Sequence, residues 1–273
     1  MPFQVRSLAE WEAAGVPGML SVVIPAHNEE GHIEATVQGL ADTLRRAGIA
    51  YEIVIVNDNS SDATERVLAR LSAADTAVRY VNNSAPNGFG LAVRRGLAEF
   101  RGDAVAVVMA DGSDDPDDLV ALYRKLESGY DCVFGSRFIR GARVSDYPLL
   151  KLILNRLANL MIRSLFLLRY NDVTNAFKLY RRSAIAGIQP LLSHHFNLTV
   201  ELPLKCIIRG YRYAVLPNSW KSRKEGVSKL RIKEMGSRYL FIILYCWLER
   251  MLSRGDYRDQ EAYRETQLQV WHR

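Results

Sequence analysis

Ala104-Val105-Ala106-Val107-Val108-Met109-Ala110-Asp111-Gly112-Ser113-Asp114-Asp115-Pro116 is an apolar run that stops abruptly in a cluster of carboxylates. Residues 104–109 carry no polar side chain, the character of a strand buried on both faces, and such strands belong to parallel sheets. Ligands in open α/β sheets bind just beyond the carboxyl ends of the strands, so Asp111 emerges where chemistry is usually done. Hard divalent cations take oxygen ligands. Asp111 with a neighbouring acid therefore reads as an anchor for Mg²⁺ or Mn²⁺ beside a diphosphate whose charge needs neutralising. The residues alone equally allow an Asp-Gly turn followed by an Asp-Pro helix start, with the carboxylates acting as caps.

Working outward from this strand, the same punctuation recurs upstream. Met19 to Ile24 is a short apolar run ended by Pro25, and a helical pattern follows through Ile33, Val37, Leu40 and Leu44. Asn28 is placed to cap that helix, with Glu29 and Glu30 in its first turn. Glu52 to Val56 repeats the strand signal and ends at Asn57-Asp58-Asn59-Ser60-Ser61-Asp62, before a helix through Val67, Leu68 and Leu71. Val78 to Val81 is a third strand, and Asn87-Gly88-Phe89-Gly90 opens a helix containing Leu91 and Leu97. Strands alternating with helices predict an α/β fold with a doubly wound, mostly parallel sheet.

The chain has 273 residues, 48% of them hydrophobic, enough for one large α/β core with a small appendage. A net charge of +6 points to an anionic partner, for which nucleic acid, a phosphorylated substrate and an acidic membrane surface all qualify. Cys132, Cys206 and Cys246 are odd in number and widely spaced, which argues against a disulfide framework or thiolate metal site and for a reducing compartment. The first twenty residues hold no apolar h-region and so no secretory signal. Gly88-Phe89-Gly90 lacks the third glycine of the dinucleotide fingerprint, and no phosphate-binding loop of the G-x-x-x-x-G-K-[ST] type occurs, which disfavours a dehydrogenase or P-loop enzyme.

An ordered set of motifs carries a resemblance. Val23-Ile-Pro-Ala-His-Asn-Glu-Glu30, Val56-Asn-Asp-Asn-Ser-Ser-Asp62, the Gly88–Gly96 segment, Ala110-Asp111, Gly135-Ser-Arg-Phe138, Asp172-Val-Thr-Asn-Ala-Phe-Lys178 and Arg223-Lys-Glu-Gly-Val-Ser-Lys-Leu230 stand in the order seen in family 2 glycosyltransferases. The last three resemble the dolichyl-phosphate mannosyltransferase and polyprenyl-phosphate glycosyltransferase branch. This resemblance implies a GT-A fold, Rossmann-like with flanking helices, that moves a hexose from a nucleoside diphosphate sugar to a polyprenyl phosphate with inversion. It implies that Pro25, His27, Glu29 and Asp58 bind the nucleotide and that Asp111 and Ser113 lie at the metal. Arg137, Lys151, Asn155, Arg223 and Lys229 are implied at the acceptor phosphate, with Arg137 also catalytic. Met109 replaces the first acid of the family's D-x-D motif, and Asp114 and Asp115 are candidates to stand in for it. The implied partners include no nucleic acid, and the implied location is cytoplasmic, peripheral on the inner face of a membrane.

Independently of the resemblance, Arg137 follows the strand Cys132-Val133-Phe134, and a guanidinium at a strand end suits bidentate phosphate recognition. Its bland alternative is a surface arginine paired with a nearby acid. From Leu149 to Leu168, at 100° per residue, Lys151, Asn155, Arg156, Asn159, Arg163 and Arg169 fall on one side, and Ile153, Leu154, Leu157, Leu160, Met161, Leu165 and Leu168 on the other. Such a basic amphipathic helix lies in a membrane interface or packs on a core with a solvated basic face. Asp172 and Asn175 read as sugar contacts or an Asx turn, and Glu201 as a site group or half of a buried ion pair. Tyr211 to Leu216 reads as a strand leading into a basic loop hinged at Gly226, which resembles a segment closing over the substrates. Tyr239–Leu248 is strongly apolar but is cut by Glu249-Arg250, too short to span a bilayer and suited to an interface.

The expected organisation is an N-terminal extension (1–18), a GT-A domain (19–235) with an interfacial helix at 149–170, and a helical membrane-facing or docking tail (236–273). Two alternatives remain open: transfer to a hydroxyl of a soluble or growing glycan, with a neighbour of Asp111 or Glu201 as base, and a non-catalytic sugar-nucleotide-binding protein.

Overall fold

The computed structural model describes residues 15–221 and 232–257, with side chains in the last segment described from 236 onward. Strands β1 (Val16–Ala26), β2 (Ala50–Asn57), β3 (Val78–Asn82), β4 (Gly102–Val107) and β5 (Cys132–Ser136) alternate with helices α1 (Ile33–Arg46), α2 (Thr64–Ala74), α3 (Phe89–Glu99) and α4 (Pro116–Glu127). The ribbon strand β6 (Val144–Ser145), α5 (Leu149–Phe166), β7 (Lys178–Arg181), α6 (Arg182–Gly187), α7 (Leu198–Ile208), β8 (Tyr213–Pro217), β9 (Trp220–Lys221) and α8 (Ile232–Leu252) complete the chain.

The main sheet runs β3-β2-β1-β4-β7-β5-β8. All of its pairings are parallel except those of β7, which lies antiparallel between β4 and β5. The chain order reverses between β1 and β4, so their carboxyl ends flank the crevice where such sheets bind ligands. Both faces are covered, and residues alternate between them: Val22, Ile24, Ile53, Ile55, Ala104 and Ala106 pack toward α1, α2 and α4, while Val23, Val54 and Val105 pack toward α3 and the C-terminal helices. Helix α3 comes so near β1 that a methyl group at Gly96 would sit 2.3 Å from Val23 Cγ1, so only hydrogen fits there.

Two local expectations are corrected. Strand β1 starts at Val16, three residues before Met19; the register shift between Val16 and Leu20 absorbs Pro17-Gly18, and Gly18 N–H donates to Asp103 Oδ2 at 3.0 Å. Asn28 does not cap α1. Its φ is 55°, its Oδ1 accepts from Ser61 N–H at 2.8 Å, and α1 starts later, at Ile33, without a side-chain cap.

Helix α5 turns its amide side inward, which sets aside the alternative of an apolar face packed on the core. Asn159, Ile162 and Phe166 are its buried residues. Asn155 Nδ2 and Asn159 Nδ2 each donate to Thr174 Oγ1 at 2.9 Å, and Asn159 Nδ2 also donates to Asn155 Oδ1 at 2.8 Å. These bonds rotate the apolar side into solvent: Leu149, Ile153, Leu154, Leu157, Leu160 and Met161 are all exposed, Leu149 by 70%, while Leu165 and Leu168 alone of the expected apolar set pack half-buried against the core. Helix α8 repeats this division. Ile242, Ile243 and Cys246 are buried, whereas Leu240, Phe241, Leu244, Leu248, Met251 and Leu252 are exposed. The two helices touch, and no helix among the described residues is long and apolar enough to cross a membrane.

Candidate active site

The carboxyl ends of β1 and β2 form one wall of the crevice. Pro25 is buried, and His27 Nδ1 lies 2.7 Å from the Asp58 carbonyl oxygen. Glu29 N–H donates to Thr64 Oγ1 at 2.9 Å, and its carboxylate lies 3.6 Å from His32. The Asp58 carboxylate is engaged within the fold: Asn83 Nδ2 donates to Oδ1 at 2.9 Å and Gly88 N–H to Oδ2 at 2.8 Å. Asp58 therefore holds the β3–α3 loop, and a methyl at Gly88 would collide with the His194 carbonyl at 2.6 Å, so the Gly88–Gly90 turn is seated against His194-His195. Pro25, His27, Glu29 and Asp58 are thus brought together on two adjoining strand ends, the first three beside the fourth.

At the end of β4 the chain turns through Gly112 (φ 66°), whose left-handed backbone suits glycine. Asp111 Oδ1 accepts from the Ser113 N–H at 3.2 Å, and Ser113 is buried. Asp115 caps α4 by accepting from Asp117 N–H at 3.0 Å, with Pro116 in the first turn, so the capping reading holds for Asp115 and removes it as a substitute acid. Asp114 turns inward and is only 8% exposed. Burial pushes its carboxyl up to about 7; the Met109 N–H, donating to Asp114 Oδ2 at 3.4 Å, pulls it down, Asp111 pushes it up and Arg137 pulls it down.

No group of three or more His, Cys, Asp or Glu is arranged to hold a metal among the described residues. A Mg²⁺ ion shared with substrate phosphates is commonly bound by only one or two protein carboxylates. Asp111 and the adjoining Asp114 are the carboxylates that would supply it.

Arg137 forms the opposite wall. Its Nε donates to Asp172 Oδ2 at 2.8 Å and Nη2 to Asp172 Oδ1 at 2.7 Å, while its backbone N–H donates to Asp172 Oδ2 at 2.9 Å. The pair is buried, with side-chain exposures of 8% and 0%. Burial disfavours the guanidinium's charge, but the Asp172 carboxylate outweighs it and leaves the pKa above its usual value. The partner is thus a nearby acid, as the bland alternative expected, but the pair is not on the surface. Nη1 lies 3.4 Å from Tyr147 OH. Lys151 Nζ sits 5.9 Å above the Tyr147 ring and 5.8 Å above that of Trp220, and these two rings are 4.8 Å apart. Trp220 makes an isolated β-bridge with Asp114, and Lys221 N–H donates to the Ser113 carbonyl at 3.0 Å. Arg137 with its partner Asp172, Lys151 and Asp114 are therefore joined through two aromatic residues, Tyr147 and Trp220. Asn155 stands apart, its amide spent on Thr174, and Arg223 and Lys229 lie outside the described residues.

Several site-shaping residues were not singled out in the sequence. The buried Lys178 ammonium donates to the carbonyls of Val173, Asn175 and Thr199, pinning the turn that carries Asp172 and Thr174. Burial pushes that amine down to about 7, with Asp172 opposing the shift and Arg137 adding to it. Tyr147 and Trp220 gave no pattern of their own. Glu201 resolves to a buried ion pair: it is fully buried, 2.9 Å from Lys205 Nζ, and accepts from Leu192 N–H and Ser193 N–H at 2.7 Å each. It has no remaining capacity to act as a base on a substrate.

The chain is 29% identical over 215 residues to polyprenol monophosphomannose synthase of Mycolicibacterium smegmatis, covering 77% of this chain and 80% of that one. It is 28% identical over 217 residues to dolichol-phosphate mannosyltransferase of Pyrococcus furiosus, covering 78% of this chain and 60% of that one. Among solved structures, glucosyl-3-phosphoglycerate synthase from Mycobacterium tuberculosis in complex with Mn²⁺, uridine-diphosphate and glucosyl-3-phosphoglycerate superposes with a TM-score of 0.64 at 20% identity, over 90% of this chain and 84% of that one, which bears out the GT-A architecture. Residues 21–188 match glycosyl transferase family 2, and the chain belongs to that family.

Proposed function

We propose that this glycosyltransferase moves a hexose from a nucleoside diphosphate sugar to a polyprenyl phosphate at a membrane surface, with inversion at the anomeric carbon. The observation that carries the reading is the continuity of the Arg137–Tyr147–Lys151 array with the outward apolar side of α5, which starts at Leu149. An acceptor whose phosphate meets the array and whose hydrocarbon meets the leucines uses both. The named activities of the two relatives support the same choice.

On this reading Pro25, His27 and Glu29 form the nucleotide's bed and Asp58 holds the loop beside it. Asp111, with the Ser113 N–H fixing its rotamer, would hold a Mg²⁺ or Mn²⁺ ion, and such an ion would supply charge neutralisation for the leaving diphosphate. Arg137, oriented by Asp172, presents its remaining donors to a phosphate, and Lys151 adds a second positive charge. A phosphate monoester has a second pKa near ~6 and is already anionic at neutral pH. Positioning and charge stabilisation then suffice without a strong general base. The hydroxyl-acceptor alternative needs such a base; Glu201 is sequestered and Asp115 is spent as a cap, so that alternative rests on the inward-turned Asp114.

The deciding experiment supplies detergent-dispersed polyprenyl phosphate and free glycans in parallel with a panel of nucleoside diphosphate sugars. Transfer to the lipid phosphate is the expected result. Transfer to glycan hydroxyls alone overturns the acceptor, and absence of turnover with every donor overturns the enzyme reading for this chain.

A further inference from the structure

Beside the array, but outside it, α5 carries a pocket of about 160 Å³ lined by Arg156, Leu157, Asn159, Leu160, Arg163 and Asn171. It is smaller than the roughly 300–1,000 Å³ of a small-molecule site, so it suits a compact headgroup and excludes a nucleotide sugar. Its amides are engaged: Asn159 with Asn155 and Thr174, and Asn171 with the Phe138 carbonyl at 2.9 Å and Ser136 Oγ at 2.7 Å. Neither Arg156 nor Arg163 forms an ion pair among the described residues; Arg156 lies 4.7 Å over the Phe138 ring, and Arg163 Nε reaches the Leu168 carbonyl at 3.5 Å. Leu157 and Leu160, exposed by 57% and 56%, form the rim and belong to the outward apolar side of the helix.

Two uncompensated guanidiniums bordered by exposed leucines fit a ligand whose anionic phosphate adjoins hydrocarbon. We propose that this pocket binds the headgroup phosphodiester of an anionic membrane lipid, as a site separate from the acceptor phosphate at Arg137 and Lys151. The inference rests on the peripheral-membrane reading above. Arginine's planar fork matches phosphate oxygens, and weak hydration lowers the cost of placing it at an interface. Bound there, a bulk lipid would hold α5 against the bilayer and favour membranes with anionic headgroups.

The test compares binding of the full chain to phosphatidylcholine vesicles, to phosphatidylcholine vesicles containing phosphatidylglycerol, and to vesicles of equal negative charge made with a fatty acid. Arg156→Gln/Arg163→Gln should lose ~10-fold or more of the phosphatidylglycerol preference, keep binding to phosphatidylcholine, and keep turnover with detergent-dispersed polyprenyl phosphate. Arg66→Gln/Arg101→Gln, which removes the same charge from exposed sites elsewhere, should lose ~3-fold at most. Equal loss in the two double variants means a diffuse field and overturns the pocket, as does an equal preference for the fatty-acid vesicles. Abolition of the preference by millimolar inorganic phosphate identifies a free-phosphate site and overturns the lipid assignment. A fall in detergent-phase turnover assigns the pocket to the acceptor and overturns its separateness. If the parent binds no vesicle of any composition, the peripheral reading fails first and takes the inference with it. Should the double variant not fold, Arg156→Glu alone, at an exposed position, decides by the same readouts.

Discussion

Replacing Arg137 by Ala strands the Asp172 carboxylate, which is fully buried and loses two side-chain hydrogen bonds. Removing one partner of a buried ion pair costs about 3–5 kcal/mol, because the remaining charge is neither solvated nor paired. For a chain of this size that corresponds to a fall in melting temperature on the order of 10 °C. Activity suffers separately, since loss of a charged phosphate contact should cost at least ~2 kcal/mol of transition-state stabilisation, about thirtyfold in kcat/KM. The two effects separate in the double variant Arg137→Met/Asp172→Leu. Exchanging a buried ion pair for apolar residues is often neutral or stabilising, so denaturant unfolding should show stability recovered toward the parent, while turnover measured well below the melting transition stays low. Recovery of both stability and turnover would refute the assignment and leave Arg137 as scaffold only.

Asp111→Asn should nearly abolish transfer and the response to divalent cations, whereas Met109→Asp should leave turnover intact or raise it; metal titrations of both variants check this, and unchanged metal dependence in Asp111→Asn would remove Asp111 from the site. Asp114 sets a pH dependence. Its folded carboxyl titrates near 7 against an unfolded value of about 3.8, so between these limits the folded state binds more protons and stability falls as pH rises, by an amount on the order of 4 kcal/mol at most. In chelator-treated protein, unfolding from pH 4 to 8 should therefore flatten in Asp114→Asn, and an unchanged slope would show that Asp114 is not the group responsible. Leu160→Glu should weaken vesicle binding at every salt concentration with little change in denaturant midpoint, because Leu160 is more than half exposed and buries little apolar area on folding; a large stability loss would mean that the face is covered.

The alternating strands and helices up to Asp111 were legible because each strand is a short apolar run ended by a turn. Strand β7 was not. Lys178-Leu179-Tyr180-Arg181 is four residues long and follows a polar turn, and only pairing with both β4 and β5, distant in sequence, makes it a central strand. The burial of Lys178 was hidden for the same reason: the carbonyls that accept its protons come from Val173, Asn175 and Thr199. Within the site, Asp111 and Arg137 were visible as charged residues at strand ends. Asp172 was ambiguous, because an acid opening an Asx turn and an acid clamping an arginine 35 residues away look alike in sequence. The two-sided pattern of α5 was equally legible, but a helical plot is symmetric with respect to which side faces inward. The partner that breaks this symmetry, Thr174, lies beyond the helix.

The Asn155, Asn159 and Thr174 bonds have one more consequence. Apolar contact is non-directional and tolerates sliding, whereas hydrogen bonds fix a helix's rotation about its own axis. One residue step corresponds to about 100°, so a slip of a single position would carry the leucines a quarter turn or more from where they now face. On the proposed peripheral reading the exposed leucines would define the bilayer plane, and since Lys151 shares their helix, Asn155, Asn159 and Thr174 would set the angle at which the crevice meets the membrane. In mechanical terms, they act as the indexing pin of the enzyme's mounting.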